Sequence, residues 1–339
     1  MHKIFSKYPR QVQKKERLFQ KNNLYNIIVI VYVLVSYLSA FLLLPAQQIF
    51  FNILGILLLT HSLVISAYLF HEFIHGTIFT SKKWNVIGGN VMLWLNGGCY
   101  ARFEDLAKEH ICHHVNKFDS SAFDLSKFLK KLPTLVQIFV IALEWMYFPV
   151  IYFFLQFYSI TAPFWKPERK HERVRILFVL FVRGIFFTSM GLISLKFLLL
   201  YFFSYIGMIT VMRFMDAFQH TYQMFPPGAS PPKYNSLYEQ ENTFSILISR
   251  KYWWLNLLTL NFGYHNAHHA RMRCPWYNLH KLDAELSKKT KIHYPSFTNL
   301  LYNYHRFRVI RLFSGQGQVY KDNWNNFYGA VGVSVLIKH

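Results

Sequence analysis

The chain has 339 residues, 53% hydrophobic and only 16% charged, and its 37 Lys and Arg against 16 Asp and Glu give a formal charge of +21. Soluble domains usually carry about 25% charged residues, so an ordinary soluble fold is excluded first. Nucleic-acid binding is excluded next: the basic residues flank apolar runs, as cytoplasmic flanks of a membrane protein do, and form no basic face on a soluble domain.

In chain order, residues 1–21 hold Lys3, Lys7, Arg10, Lys14, Lys15, Arg17 and Lys21 against one acid, Glu16. They predict a basic cytoplasmic arm over 1–23, with no signal-peptide layout. Roughly 20 helical residues cross the hydrocarbon core, so Leu24 to Leu44 and Ile49 to Phe70 are predicted spans. The turn between them, Pro45-Ala46-Gln47-Gln48, lacks Lys and Arg, as an outside turn should. Trp84 to Gly98 is apolar but short and glycine-punctuated, which predicts an interfacial segment.

Pro133 to Trp165 is long enough to cross but holds Glu144, Pro149 and Pro163. Its flanks are both basic, with Lys127, Lys130 and Lys131 before it and Lys166, Arg169, Lys170, Arg173 and Arg175 after it. The positive-inside rule puts both flanks on one side, so the segment is expected to be re-entrant or interfacial. Ile176 to Ile193 and Leu195 to Phe214 then form a hairpin of two spans. Pro226-Pro227-Gly228 and Pro231-Pro232 mark a break, and 223–339 is expected to be a cytoplasmic cap, since Trp253–Leu260 is too short to cross. The predicted fold is all-α and integral to the membrane: four transmembrane helices with interfacial helices in a membrane domain over 24–222, and a helical cap carrying a dimetal site. Cys99, Cys112 and Cys274 are too few for a disulfide framework and fit a reducing compartment.

Nine of the 16 histidines fall in tight groups: His71 and His75; His110, His113 and His114; His220; and His265, His268 and His269. On a helix, positions i, i+3 and i+4 share a face. Adjacent residues point about 100° apart, so His113 and His114 can reach two different metal ions, with His110 joining one of them. Eight histidines in three groups exceed the three or four ligands of a tetrahedral zinc site and suit two ions. Imidazole favours iron, copper, zinc or nickel without choosing among them. His220 lies in Asp216-Ala217-Phe218-Gln219-His220 at the end of the last span, where an ionisable residue is expensive unless it pairs or ligates. Cys112 points off the ligand face as a spacer, and His61, about 15 Å deeper along the helix than His71, reads as a packed polar contact.

His71-Glu72-Phe73-Ile74-His75, His110-Ile111-Cys112-His113-His114 and His265-Asn266-Ala267-His268-His269 resemble, in order and spacing, the three histidine boxes of the membrane fatty acid desaturases. The resemblance covers roughly residues 50–280 and implies a non-haem diiron enzyme that takes two hydrogens from an acyl chain, using O2 and two electrons from ferredoxin or cytochrome b5. It makes His220 the ninth ligand. Asp216 departs from the family by replacing an Asn that reaches one iron through water, which leaves Asp216 the water-mediated candidate. The three residues inside box one are similar to acyl-lipid desaturases, and His268-His269-Ala270-Arg271 through Pro275-Trp276-Tyr277 is similar to bacterial members. A multi-pass protein of the bacterial inner membrane, with its site on the cytoplasmic side, is what this implies. With no cytochrome b5-like His-Pro-Gly-Gly and no ferredoxin-type cysteine array in the chain, the donor is expected to be a separate partner.

Other readings compete. His71-Glu72-Phe73-Ile74-His75 is also the H-E-x-x-H of zinc proteases, with Glu72 as general base, but that leaves the other two groups unexplained. A diiron hydroxylase or a carotenoid ketolase shares the chemistry, and a catalytically silent membrane protein would use the histidines only for packing. Arg271 and Arg273 can hold an acidic head group, dock an acidic donor, or simply neutralise the cap beside the bilayer.

Overall fold

The structure, a computed structural model, describes residues 18–120, 125–225, 231–290, 292–314, 327–331 and 336. Residues 1–17 of the basic arm and the Pro226-Pro227-Gly228 break lie outside the described residues. Four helices are long and apolar enough to cross a membrane: α1 (Asn23–Leu43), α2 (Ile49–His75), Pro167–Ile193, whose α-helical part is α8 (Arg173–Ile193), and α9 (Leu195–Ala217). The chain is thus a helical, multi-pass membrane protein.

The α1 helix starts where the Asn22 side chain accepts the Leu24 N–H, satisfying a donor that has no partner within the helix. Exposed aliphatic residues, Leu24, Ile27, Ile28, Val31, Leu34, Val35, Leu38 and Leu42, recur at helical spacing on one face, while Val29, Val33, Tyr37 and Ala40 are buried. An apolar outer face suits lipid, and packing rather than hydrophobicity selects the inner one. At the far end Asn52 Nδ2 donates to the carbonyls of Leu43, Leu44 and Ala46, closing the α1–α2 turn where α1 runs out of internal partners.

The central element is α2. Small polar groups let its neighbours approach: Ser62 Oγ donates to Val33 O on α1, and Thr60 Oγ1 to Ser204 O on α9. At 1.5 Å per residue its 27 residues span about 40 Å, more than the ~30 Å hydrocarbon core. One end therefore projects, and that end carries His71 and His75. Gly76, at φ +65°, stops the helix in the left-handed region open to glycine, with its N–H on Glu72 O and Phe73 O.

After α3 (Lys82–Asn96), Arg175 of α8 gathers the carbonyls of Cys99, Tyr100 and Ala101, fixing the loop that launches α4 (Phe103–Asn116). Glu104 and Asp105 occupy the first turn of α4, where acids complement the helix dipole. Then come α5 (Leu125–Lys131), α6 (Thr134–Trp145) and α7 (Val150–Trp165), the last two bent by 112° across a four-residue break. Ser194, in extended backbone, separates α8 from α9 and caps α9 through Phe197 N–H.

Among the described residues the only strand pairing joins two short segments in parallel, β1 (Asp119–Ser120) and β2 (Met224–Phe225). It draws the exit of α4 beside the exit of α9. The later part of the chain is helical again: α10 (Ser236–Glu241), α11 (His265–Ala270), α12 (Leu279–Leu286), α13 (Phe297–Arg306) and α14 (Ile310–Ser314). One part of this region follows the span: the 3-10 turn Trp253–Thr259 lies along α2, where the His61 ring is hydrogen-bonded to Leu258 O and to the Tyr32 hydroxyl.

Candidate metal centre

Four parts of the fold converge at the projecting end of α2. His71 and His75 sit on its last turns; His110, His113 and His114 ride on α4; His220 follows α9; and α11 carries His265, His268 and His269. The lead into α11 is tightly built. Leu260 and Asn261 both hold positive φ, and Asn261 Nδ2 donates to Trp276 O. Gly263 passes so close to Ile246 that a Cβ would stand 2.1 Å from its carbonyl oxygen. Asn266 then locks the short helix: its Nδ2 donates to Thr243 O at 2.8 Å, and Ser245 Oγ bridges its N–H and Oδ1.

The ring nitrogens fall into two adjacent groups. Ligand atoms of His71, His75, His110, His114 and His268 all lie within 4.8 Å of one another, and so do those of His113, His220 and His269. His265 joins the second set through His220, Nε2 to Nε2 at 2.7 Å. Neighbours on α4, His113 and His114, serve different groups, as a helix's 100° step dictates. His268 and His269 on α11 do the same. Within the first group His110 Nε2 lies 2.9 Å from His75 Nε2 and 3.0 Å from His114 Nε2, which is 3.0 Å from His268 Nε2. Two nitrogens bound at about 2.1 Å and at right angles to one ion stand roughly 3.0 Å apart, so these separations suit ligands that share a metal.

The protonation state agrees. Burial above all, followed by neighbouring imidazoles, holds His114, His265, His268 and His269 well below the usual histidine range, and burial does the same to His220. Burial and His113 bring His110 down to about 3. Neutral imidazole is the form that binds metal. His71 Nδ1 and Nε2 and His269 Nε2 are buried without a hydrogen-bond partner, a costly state that a metal ion relieves. The residues present therefore fit a pair of metal ions.

Other contacts orient the rings. Glu239 Oε1 lies 3.2 Å from His269 Nδ1 and its other oxygen 3.7 Å from Lys117 Nζ. Thr243 Oγ1 is 3.2 Å from His220 Nδ1 and 3.0 Å from the Tyr222 hydroxyl. Each leaves Nε2 facing the cluster, as carboxylate–histidine–metal pairs do. Neither Glu239 nor Thr243 stands out in sequence, because their partners lie 30 and 23 residues away. Glu72 is visible in the H-E-x-x-H pattern, but its Oε2 accepts from Thr77 Oγ1 at 2.6 Å and from Trp276 N–H at 3.3 Å. It braces the segment after α11 against α2.

Asp216 belongs to neither group of ligand atoms. Cys112 is exposed and free. Arg271 and Arg273 are exposed as well, Arg271 Nη1 bonding Ala270 O while Arg273 lies near Lys21.

Membrane-crossing helices that bring two sets of histidines together define a membrane protein with a histidine-rich centre able to hold metal. The fatty acid desaturase family model matches residues 48–300, taking in all nine histidines. The chain belongs to the fatty acid desaturase family, and it is thereby an oxidoreductase of a metalloenzyme type. No curated protein matches it.

Proposed function

We propose that the protein is an acyl-lipid or acyl-CoA desaturase that introduces a double bond into a fatty acyl chain at a non-haem diiron centre. The observation that carries this reading is the meeting of nine histidines, from four separated stretches, in two adjacent sets, with burial keeping His110, His114, His220, His265, His268 and His269 neutral. His71, His75, His110, His114 and His268 would hold one iron. His113, His220, His265 and His269 would hold the other, with Asp216 reaching the centre through water. When bound, the irons supply the O2-dependent oxidation of unactivated C–H bonds that side-chain acids and bases cannot perform. Overall, one CH2–CH2 unit, O2, two electrons and two protons give one CH=CH unit and two waters.

The chain's residues do the rest. Glu239 and Thr243 hold His269 and His220 in orientation, and Glu72 ties the Trp276 segment to α2. Burial of the cluster keeps bulk water from the oxidant. The hydrogen bonds from Thr77 and Trp276 to Glu72 Oε2 favour a bracing role for Glu72 over that of a zinc-protease general base.

In the proposed arrangement the histidine end of the spans faces the cytoplasm, in a bacterial inner membrane, and residues 223–339 form the cap. The bent pair α6–α7 dips in and returns, so that both basic flanks stay inside. Electrons come from a separate ferredoxin or cytochrome b5-type donor, for which Arg271 and Arg273 offer an exposed basic surface; the same pair can steady an acidic head group. Lipid profiling of cells expressing the wild type or His265→Ala tests the reaction. New unsaturated acyl chains are expected only with the wild type. Unchanged unsaturation, with a hydroxylated or keto lipid appearing instead, would replace the desaturase reading with a hydroxylase or ketolase.

A further inference from the structure

A row of stacked tyrosine rings leads outward from the second histidine set. Tyr222, only 2% exposed, lies over His220 with ring centroids 4.1 Å apart and planes 23° from parallel. It also meets the His113 ring at 5.4 Å and the His269 ring at 6.2 Å. Tyr238 of α10 follows, 5.9 Å from Tyr222 and 19° from parallel, and then Tyr234, 3.9 Å from Tyr238 and 15° from parallel. Tyr238 and Tyr234 are half-buried, so the row begins in the interior and ends at solvent. Aromatic pairs left to themselves prefer offset or edge-on contacts, so the surroundings hold these rings nearly parallel. Gln223 Oε1 accepts from the Tyr234 hydroxyl at 2.7 Å, and Gln223 N–H donates to the Tyr238 hydroxyl at 3.4 Å. Lys117 Nζ donates to Tyr234 O at 3.5 Å.

Phenol chemistry gives the row a use. A phenol yields one electron to a strong oxidant when its proton has an acceptor, and the Tyr222 hydroxyl stands 3.0 Å from Thr243 Oγ1. Toward α2 the neighbouring ring is different. Phe262 lies 5.0 Å from His71 and 5.4 Å from His265, and a phenyl ring is far harder to oxidise than a phenol. A low-potential donor neither oxidises nor reduces tyrosine, so the row suits oxidising equivalents that leave the centre, not electrons that arrive from a partner. Enclosure shields a reactive site from side reactions with water. It also leaves an oxidant that meets no acyl chain with only the surrounding side chains to attack.

We propose that Tyr222, Tyr238 and Tyr234 form an escape route that carries oxidising equivalents from the histidine centre to the surface when no acyl chain is bound. This role rests on the O2-dependent, diiron reading of the centre. Tyr222 gives one electron inward, Tyr238 refills Tyr222, and Tyr234 refills Tyr238 and releases its phenolic proton to water. A small thiol then returns a hydrogen atom to Tyr234, and two thiyl groups join as a disulfide. Over two such events O2, the donor's two electrons, two protons and two thiols give two waters and one disulfide. For the test, the full-length protein in detergent is loaded with iron, reduced with stoichiometric dithionite and exposed to O2 without lipid substrate or thiol. Frozen samples are read by electron paramagnetic resonance, and digests by mass spectrometry. The wild type should show a tyrosyl radical and covalent oxidation concentrated at Tyr234 and Tyr238, both lost when glutathione is present. Tyr222→Phe keeps a ring in the stack, so a packing role alone would leave these signals unchanged. The expected result for it is wild-type iron content, loss of the radical and of the marks at Tyr234 and Tyr238, and oxidation shifted to the histidines. Tyr234→Phe should end the marks at Tyr238. Iron-loaded wild type without a tyrosyl radical, or Tyr222→Phe with wild-type marks at Tyr234, overturns this inference alone. A protein that takes up no iron overturns the diiron reading together with it.

Discussion

Glu239 carries much of the cluster's orientation from outside it. Its carboxylate meets His269 Nδ1 on one side and Lys117 on the other, so the Nε2 of His269 is turned toward the ligand group. Outer contacts of this kind are typically worth about 10- to 100-fold in metal affinity. Glu239→Gln keeps the acceptor but loses the charge, and iron should be stripped from it by a competing chelator at correspondingly lower concentration. Retention curves that superimpose on the wild type would remove Glu239 from the site's support. A second residue-scale test concerns pH. Burial raises the Asp283 carboxyl to about 6, against an ordinary value of 3.8, although the Tyr294 hydroxyl donates to it at 2.7 Å. The folded chain keeps that proton up to about pH 6, whereas the unfolded chain releases it near 3.8, so this contribution to stability is full below 3.8 and is lost as pH rises through 6. Asp283→Asn should therefore unfold at the wild-type temperature near pH 4 and at a higher one near pH 7. Equal differences at both pH values would contradict the assignment.

At the scale of elements, the lead into α11 is the least forgiving part of the centre. A Cβ on Gly263 meets a backbone carbonyl 2.1 Å away, and backbone cannot step aside as a flexible side chain can. Gly263→Ala should cost about 1–3 kcal/mol of stability as an overpacked position, and it should displace His265, His268 and His269 together. The expected result is a protein that reaches the membrane but holds little iron; wild-type iron content would show that α11 is not set by this contact. The elements also show what was readable in advance. The four spans and three histidine groups follow local rules, spacing and apolar length, and the residues display both directly. Contacts made at long range escaped that reading. Glu239, Thr243, the Asn52 bracket on α1 and the path of Trp253–Thr259 along α2 depend on how distant segments pack, and no local period encodes them. Glu72 is the instructive case: its pattern is legible, yet only its contacts to Thr77 and Trp276 reveal a brace.

Across the whole molecule, one length difference organises the rest. The α2 helix outruns the hydrocarbon core, α4 is steered in by Arg175 and the 99–101 carbonyls, and the β1–β2 pairing draws the exits of α4 and α9 together. Four separated stretches of chain thereby deliver nine histidines to one place beside the lipid phase. In the proposed reaction an apolar substrate would approach from the bilayer, and the buried cluster would keep its oxidant enclosed by side chains. The most direct test of this account is the metal content of the full-length protein purified in detergent. About two irons per chain are predicted, falling sharply in His114→Ala and in His269→Ala, one from each histidine group. A single zinc with no iron would contradict it.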